Sequence, residues 1–216
     1  MKEKHNTDKY NFSVEGETEQ RYLYWLRDQI NNNSKSSFKV AFDVKVQQHP
    51  AKYYKSINAR TISSLTHICD VESNEKVHTD KFKKILSEMK DAKKYKQLEY
   101  ELGYSNFAFE LWMVLHKMDC NGSLTDRSQY LSYINRAYEE HFEDLHQYKK
   151  EDNFKRCLSK LTLEDVKAAI RRADVITESN KLDKKTLIKY KGYSYYRDNP
   201  GLSIHEVVKR LLEKYL

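Results

Sequence analysis

Two hydrophobic periodicities alternate along the first half of the chain. Short stretches rich in β-branched and aromatic residues predict strands at 10–14, 38–46 and 64–69. Between and after these stretches, apolar residues recur three and four positions apart, which predicts amphipathic helices. The two clearest sets are Tyr22, Leu23, Leu26 and Ile30, and Phe82, Ile85, Leu86 and Met89. Strands that alternate with helices are typical of βαβ units, so the pattern predicts an α/β fold with a mainly parallel sheet flanked by helices.

From Ser105 onward the periodicity is helical throughout. The predicted helices lie around Trp112, from Tyr130 to Leu145, from Thr162 onward, and at the end of the chain. Thr79 is the predicted N-cap of the helix that contains Phe82. Ser203 and Glu206 form a predicted capping box at the start of the last helix. We therefore predict an α/β core at residues 8–120 and a mainly helical C-terminal region at 121–216 that packs on the core.

Length and composition narrow the class of protein. A chain of 216 residues suits one ordinary domain with an appendage. Its apolar runs are far shorter than the roughly 20 residues that span a bilayer, so we expect no membrane insertion. The charged N-terminal decapeptide has no apolar segment typical of a secretion signal. Cys69, Cys120 and Cys157 are odd in number and lack zinc-like spacing, so we expect unpaired thiols and a cytoplasmic location.

The net charge of +7 is not evenly spread along the chain. Between Gln147 and Lys191 there are 13 Lys and Arg against 7 Asp and Glu, an excess of six positive charges. A basic segment of this kind suits a phosphate-bearing partner. A solvated Lys-rich surface with no partner explains the charge equally well.

Three acidic residues follow predicted strands. Glu15 follows the first strand and Asp70 the third, and parallel strands place such residues at one edge of the sheet. Asp70 and Glu72 are two positions apart, which in an extended chain directs both side chains to the same side. Converging carboxylates repel one another, and Mg²⁺ removes that cost by accepting oxygen ligands. The alternative is that all three are exposed turn acids, as Glu17 and Glu19 look like residues of a helix's first turn.

The segments around these acids resemble the Toprim fold. That fold has a Glu before a Gly after its first strand, as in Glu15-Gly16, and an Asp-x-Asp after a later strand, as in Asp70-Val71-Glu72. Residues 105–116, SNFAFELWMVLH, are similar to the SNPxFExWLLLH signature of the RloB family of bacterial proteins. Further blocks follow in that family's order: Tyr148-Lys149-Lys150, Ala168-Ala169-Ile170 with Ala173, and Asn199-Pro200 before the last helix.

The resemblance implies a Toprim-like, metal-dependent nuclease of bacterial phage defence, often paired with an ATPase partner subunit. It assigns Glu15 as the Toprim glutamate, and Asp70 and Glu72 as the Asp-x-Asp pair. Glu72 replaces the usual second Asp and is one methylene longer, although it is still a hard oxygen ligand. Phe107 and Ala108 replace the usual Pro and Cys, which puts the conformation of that loop in question.

Other polar residues have two interpretations each. Glu110, on an apolar helix, belongs either to the site or to a buried ion pair. Asn106 is either a substrate contact or a helix cap, and Lys149 and Lys150 either bind phosphate or are solvated at a helix end. Lys189, Lys191 and Arg197 are interleaved with tyrosines, which suits nucleic-acid binding by stacking and charge. The alternative is that these tyrosines belong to a half-buried strand or pack in the core.

The resulting hypothesis is phosphodiester cleavage of DNA or RNA, tRNA included, assisted by Mg²⁺ or Mn²⁺. Glu15, Asp70 and Glu72 would be the metal ligands, with Glu110 and Lys150 assisting. The main alternative is a non-catalytic nucleic-acid-binding or interaction subunit of an ATPase-containing defence complex. Phosphate-ester chemistry on a small molecule is a third hypothesis.

Overall fold

A five-stranded sheet forms the centre of the protein. The computed structural model describes residues 7–34, 36, 38–57, 64–96, 98–122 and 124–216. The strands are β1 (Thr7–Val14), β2 (Lys39–Val46), β3 (Ser64–Asp70), β4 (Glu99–Asn106), β5 (Leu187–Tyr190), β6 (Tyr193–Tyr196) and β7 (Gly201–Leu202). The main sheet has the order β2-β1-β3-β4-β7, in which the first four strands are parallel and β7 is antiparallel to β4. The predicted α/β class with a mainly parallel sheet is confirmed.

Helices cover both faces of this sheet. They are α1 (Glu17–Asn32), α2 (Pro50–Ser56), α3 (Lys76–Lys96), α4 (Glu110–Leu115), α5 (Tyr130–Tyr138), α6 (Leu145–Lys149), α7 (Glu151–Ser159), α8 (Leu163–Leu182) and α9 (Ile204–Tyr215). One face packs against α1, α4 and the later helices in a core centred on Tyr22 and Trp112. The other face packs against α2, α3 and β6 in a smaller core that contains Phe82 and Tyr195. The C-terminal region therefore shares its core with the α/β region.

The prediction that the chain is purely helical after Ser105 is wrong. Strands β5 and β6 form an antiparallel hairpin, and β7 joins the main sheet. The hairpin turn is Lys191-Gly192, where both residues have positive φ (55° and 94°), as the tight turns that suit hairpins require. Strand β4 was not predicted either, although Tyr100, Leu102 and Tyr104 alternate with polar or small residues.

Three helix boundaries also differ from the predictions. The helix expected from Tyr130 to Leu145 is shorter, because α5 ends at Tyr138, before Glu139 adopts a left-handed conformation (φ 53°). The next helix, α6, begins only at Leu145. Thr79 does not cap α3, which already begins at Lys76. Ser203 precedes α9 but its side chain makes no cap hydrogen bond. Its Oγ instead accepts from the Tyr104 N–H (3.1 Å) and donates to the Leu102 carbonyl oxygen (2.9 Å).

Two further sequence expectations concern the chain's environment. Within the described ranges, no helix combines the length and the apolar character that a membrane-spanning helix needs. Cys69, Cys120 and Cys157 are all buried free thiols.

The contacts of Ser203 predict the effect of two substitutions. Ser203→Ala should lower the free energy of unfolding by about 2 kcal/mol, because it leaves two backbone groups of β4 without a partner. Ser203→Asp, a favourable N-cap residue, should also destabilise, because its carboxylate would face the Leu102 carbonyl oxygen. Urea unfolding measures both, with the exposed Ser194→Ala as control. A stable Asp variant would mean that the side chain caps α9 after all.

Candidate active site

Glu15 and Asp70 meet at the carboxyl edge of the parallel strands. Glu15 follows β1 and Asp70 ends β3, which is paired with β1. Glu15 Oε2 accepts a hydrogen bond from the backbone N–H of Asp70 (3.0 Å). Glu15 Oε1 is buried and has no hydrogen-bond partner among the described residues. The structure thus brings together the two acids that the strand pattern placed at one edge.

Glu72 is oriented differently from the sequence expectation. Its backbone is left-handed (φ 63°) rather than extended, and its N–H donates to the Phe107 carbonyl oxygen (2.9 Å). Its carboxylate pairs with Lys81 and lies 3.1 Å from His78 Nε2, both on α3. Partial burial opposes ionisation, but Lys81 holds the pKa of Glu72 below its usual value. The expectation that Asp70 and Glu72 are side by side in extended chain is therefore wrong.

Two buried glutamates lie in the first turns of helices near Asp70. Glu110 begins α4 and is fully buried, and Glu19 lies in the first turn of α1 and is 4% exposed. Burial, and then the charge of Glu110, raise the pKa of Glu19 to about 7. Burial also raises the pKa of Asp70 well above its usual value, and the charges of Glu15, Glu19 and Glu110 add to this effect. Glu15, Glu19, Asp70 and Glu110 form what we call the carboxylate cluster.

Glu19 was not predicted as a site residue, although the sequence contains a signal for it. It precedes Leu23, Leu26 and Ile30 by four, seven and eleven positions, so it lies on the buried stripe of α1. An acid on such a stripe is costly unless it meets a partner. Gly16 makes room for it, because a Cβ at that position would lie 3.0 Å from Glu19 Oε2.

Two lysines accompany the carboxylate cluster. Lys149 Nζ lies 2.9 Å from Glu110 Oε1, and Lys81 Nζ lies 3.8 Å from Glu15 Oε1. Burial opposes protonation of Lys149, but the charges of Glu110, and then of Asp70 and Glu19, raise its pKa overall. Lys150 is exposed at the junction of α6 and α7, and no described carboxylate pairs with it. Of the two adjacent lysines, the structure brings Lys149 into the site.

Among the described residues, the remaining predicted substrate contacts form no hydrogen bond or ion pair with the carboxylate cluster. Asn106 is fully buried, and its Nδ2 donates to the carbonyl oxygens of Tyr196 (3.3 Å) and Arg197 (2.8 Å). It therefore ties the end of β4 to the segment after β6 instead of capping a helix. Lys189, Lys191 and Arg197 are exposed on or beside the β5–β6 hairpin.

The donor set of the cluster fits a hard divalent cation. Glu15 Oε1 and Glu110 Oε2 are buried oxygens with no hydrogen-bond partner among the residues described, and carboxylate oxygen is the ligand that Mg²⁺ and Mn²⁺ prefer. As the side chains stand, no group of three His, Cys, Asp or Glu within the described chain surrounds a common metal position. The ammonium groups of Lys81 and Lys149 balance part of the negative charge instead. Both side chains are about two-fifths exposed (39% and 41%), so each can turn toward solvent when a cation binds.

Comparison with known proteins adds one match. A family model described as RloB-like protein matches residues 12–211, which include every residue of the carboxylate cluster. No curated protein and no solved structure matches the chain significantly.

The raised pKa of Glu19 predicts a stability that depends on pH. The folded state holds this proton up to about pH 7, whereas the unfolded chain releases it near pH 4.5. The proton on Glu19 therefore stabilises the folded state fully below pH 4.5, and this stabilisation is lost as the pH rises through about 7. The corresponding loss in the free energy of unfolding is on the order of 3 kcal/mol. Without divalent cations, Glu19→Gln should therefore raise the melting temperature by several degrees at pH 8 and change it little at pH 5. Thermal unfolding in EDTA at both pH values measures this.

A matched control is Glu17→Gln, in the same helical turn but exposed. It should shift the melting temperature little at either pH. An equal gain for both variants, or a gain for Glu19→Gln that does not depend on pH, would contradict the buried carboxyl described above.

Proposed function

The chain belongs to the RloB-like protein family, and on that premise we propose that it is a metal-dependent nuclease that cleaves phosphodiester bonds in nucleic acids. The observation that carries the proposal is the carboxylate cluster at the carboxyl edge of a parallel sheet, where α/β proteins bind ligands. Burial raises the pKa of three of its four members, Glu15, Glu19 and Asp70, and the charges of neighbouring carboxylates add to this effect, which is typical of a functional site.

Each member of the cluster has a definite part in this proposal. Glu15, Glu19, Asp70 and Glu110 would hold Mg²⁺ or Mn²⁺. Such a cation, when bound, polarises a phosphoryl oxygen and lowers the pKa of a water nucleophile. Lys149 is the cation within reach of the cluster that can turn toward a phosphate and balance its charge. Because Glu19 retains a proton near neutral pH, cation binding must displace it, so the affinity for the cation should rise with pH.

Glu72 has a supporting part. Its carboxylate is engaged by Lys81 and His78, so its part is to orient Lys81 near Glu15. Its charge also contributes to the raised pKa of Glu15. The replacement of the family's second Asp by Glu is therefore compatible with the proposed chemistry.

The biological setting is part of the same proposal. Family membership supports a role in bacterial antiphage defence beside an ATPase partner, with DNA or RNA, tRNA included, as substrate. The three buried free thiols suit the reducing environment of the cytoplasm.

A second candidate is a non-catalytic interaction subunit. The observation that favours it is that Lys81 and Lys149 already balance part of the charge of the cluster. The acids would then form a structural ion-pair network and bind no metal. Calorimetric titration with Mn²⁺ separates the candidates, because only the nuclease proposal predicts binding.

Because Asp70 and Glu72 have different surroundings, we expect their substitution to affect the cleavage rate differently. With Mn²⁺, the wild type should cleave at least one member of a broad DNA and RNA panel. Asp70→Asn should lower the rate by about 100-fold or more, because it removes a charged ligand worth several kcal/mol. Glu72→Gln should lower it less than about 10-fold, because its carboxylate contacts Lys81 and not the other acids. Gel assays of cleavage products measure all three proteins.

The nuclease proposal would be abandoned if the wild type neither cleaved any substrate nor bound Mn²⁺. Equal losses of cleavage rate in Asp70→Asn and Glu72→Gln would show instead that the Glu72 carboxylate points into the carboxylate cluster in the active protein, contrary to the orientation described here.

A further inference from the structure

We propose that the cleft between α3 and the β5–β6 hairpin holds a single strand of nucleic acid by its phosphates and leads it to the carboxylate cluster. The inference rests on the proposed function and deepens it, because it names the form of the substrate and the surface that binds it.

The cleft lies at the end of β3, on the face of the sheet that α3 covers. It has a volume of about 390 Å³, and its lining includes Val71, Lys83, Ile188 and Arg197. Val71 directly follows Asp70, and its N–H donates to the Ser105 carbonyl oxygen (3.0 Å) at the end of β4. On the opposite wall, the Arg197 carbonyl accepts from Asn106, also at the end of β4. Both walls are thus fixed to the end of β4, the strand whose Ser105 is paired with Asp70.

A line of lysines continues along α3 from this opening. Lys76, Lys83 and Lys90 are seven residues apart, so they share one face of α3 at intervals of about 10 Å. Lys76 and Lys83 line the first cleft. Lys90 lines a second cavity of about 230 Å³, together with Lys93 and with Lys191 from the hairpin turn. The positive surface therefore runs for about 20 Å away from the carboxylates.

Most of these cations lack an acidic partner. Asp80 lines the first cleft and pairs with Lys76, and Glu99 lines the second and pairs with Lys93. Over the described part of the chain, no carboxylate lies within ion-pair distance of Lys83, Lys90, Lys191 or Arg197. Uncompensated cations in a row suit a polyanionic backbone, whose condensed counterions they release.

The tyrosines of this region build the walls and are not free to stack on bases. Tyr195 packs edge-on against Phe82, with ring centroids 4.8 Å apart. The ring of Tyr190 lies below the ammonium groups of Lys83 and Lys191, at 5.8 and 5.9 Å. The Tyr193 hydroxyl donates to the Tyr100 carbonyl oxygen (3.2 Å). Binding is therefore through phosphates, with little preference for sequence.

The size of the first cleft selects a single strand. A volume near 390 Å³ is that of a pocket for a drug-sized molecule, such as one nucleotide, and is too small to enclose a duplex. Paired regions would therefore have to remain outside the cleft.

Binding and small-substrate hydrolysis together test the proposal. We call the row of Lys76, Lys83 and Lys90 along α3 the lysine track. The double variant Lys83→Gln/Lys90→Gln removes two of its three cations. The control, Lys52→Gln/Lys84→Gln, removes two exposed lysines that do not line either cavity. Fluorescence anisotropy in EDTA, over a range of salt concentrations, measures the affinity for a labelled single strand. Hydrolysis of bis-p-nitrophenyl phosphate with Mn²⁺ measures chemistry that does not need the cleft.

The track variant should bind the strand about 10-fold more weakly, with a salt dependence reduced by about two charges. The control should bind within about twofold of the wild type, since surface cations away from a ligand contribute little. Both variants should hydrolyse the small ester at the wild-type rate. Equal weakening of both variants, or tighter binding of a duplex than of its single strand, would overturn the proposal. Strand binding that depends on Lys83 and Lys90, in a wild type that neither binds Mn²⁺ nor cleaves the ester or any nucleic acid, would retain the cleft and reject the nuclease.

Discussion

Charge balance at one edge of the sheet is the constraint on which the site depends. The four carboxyl groups of the cluster meet where two parallel strands end, and burial makes their mutual repulsion costly. Two lysines offset part of it, since Lys149 pairs with Glu110 and Lys81 approaches Glu15. Lys81 is shared with Glu72, so the two lysines do not neutralise the four acids of the cluster when all are ionised. A proton on Glu19 makes up part of the remaining deficit at neutral pH, and a divalent cation would supply more of it.

The two halves of the chain contribute jointly to this edge. The α/β half supplies Glu15, Glu19 and Asp70, and the helical half supplies Lys149 from α6. Hydrogen bonds also join the two halves. Asn199 Nδ2 donates to the Asn106 carbonyl oxygen (2.5 Å), and Asn106 Nδ2 donates to the Arg197 carbonyl oxygen in the segment after β6. The same contacts place the β5–β6 hairpin opposite α3. A shared core and a shared site explain why the family model extends over nearly the whole chain.

The elements and residue positions that follow from local periodicity could be predicted from the sequence. Strand and helix alternation was sufficient to place Glu15 and Asp70 at one edge, because parallel strands align their carboxyl ends. It was insufficient for Glu72, whose direction depends on a left-handed residue that glutamate does not signal. It left open whether Glu110 and Lys149 reach the site, and it missed Glu19, because the approach of all three to Asp70 depends on how three helices dock on the sheet. The β5–β6 hairpin was not predicted as such, because its four-residue strands are too short to show a period.

Diffraction from crystals soaked in Mn²⁺, with anomalous scattering to locate the ion, would show whether the carboxylate cluster binds a cation. We expect an anomalous peak bound by Asp70 and by oxygens of Glu15, Glu19 or Glu110, with the Lys149 ammonium group moved away from Glu110. A peak held by Glu72 and His78 alone, or crystals that take up no ion while the Lys149–Glu110 pair stays intact, would refute a metal site in the cluster.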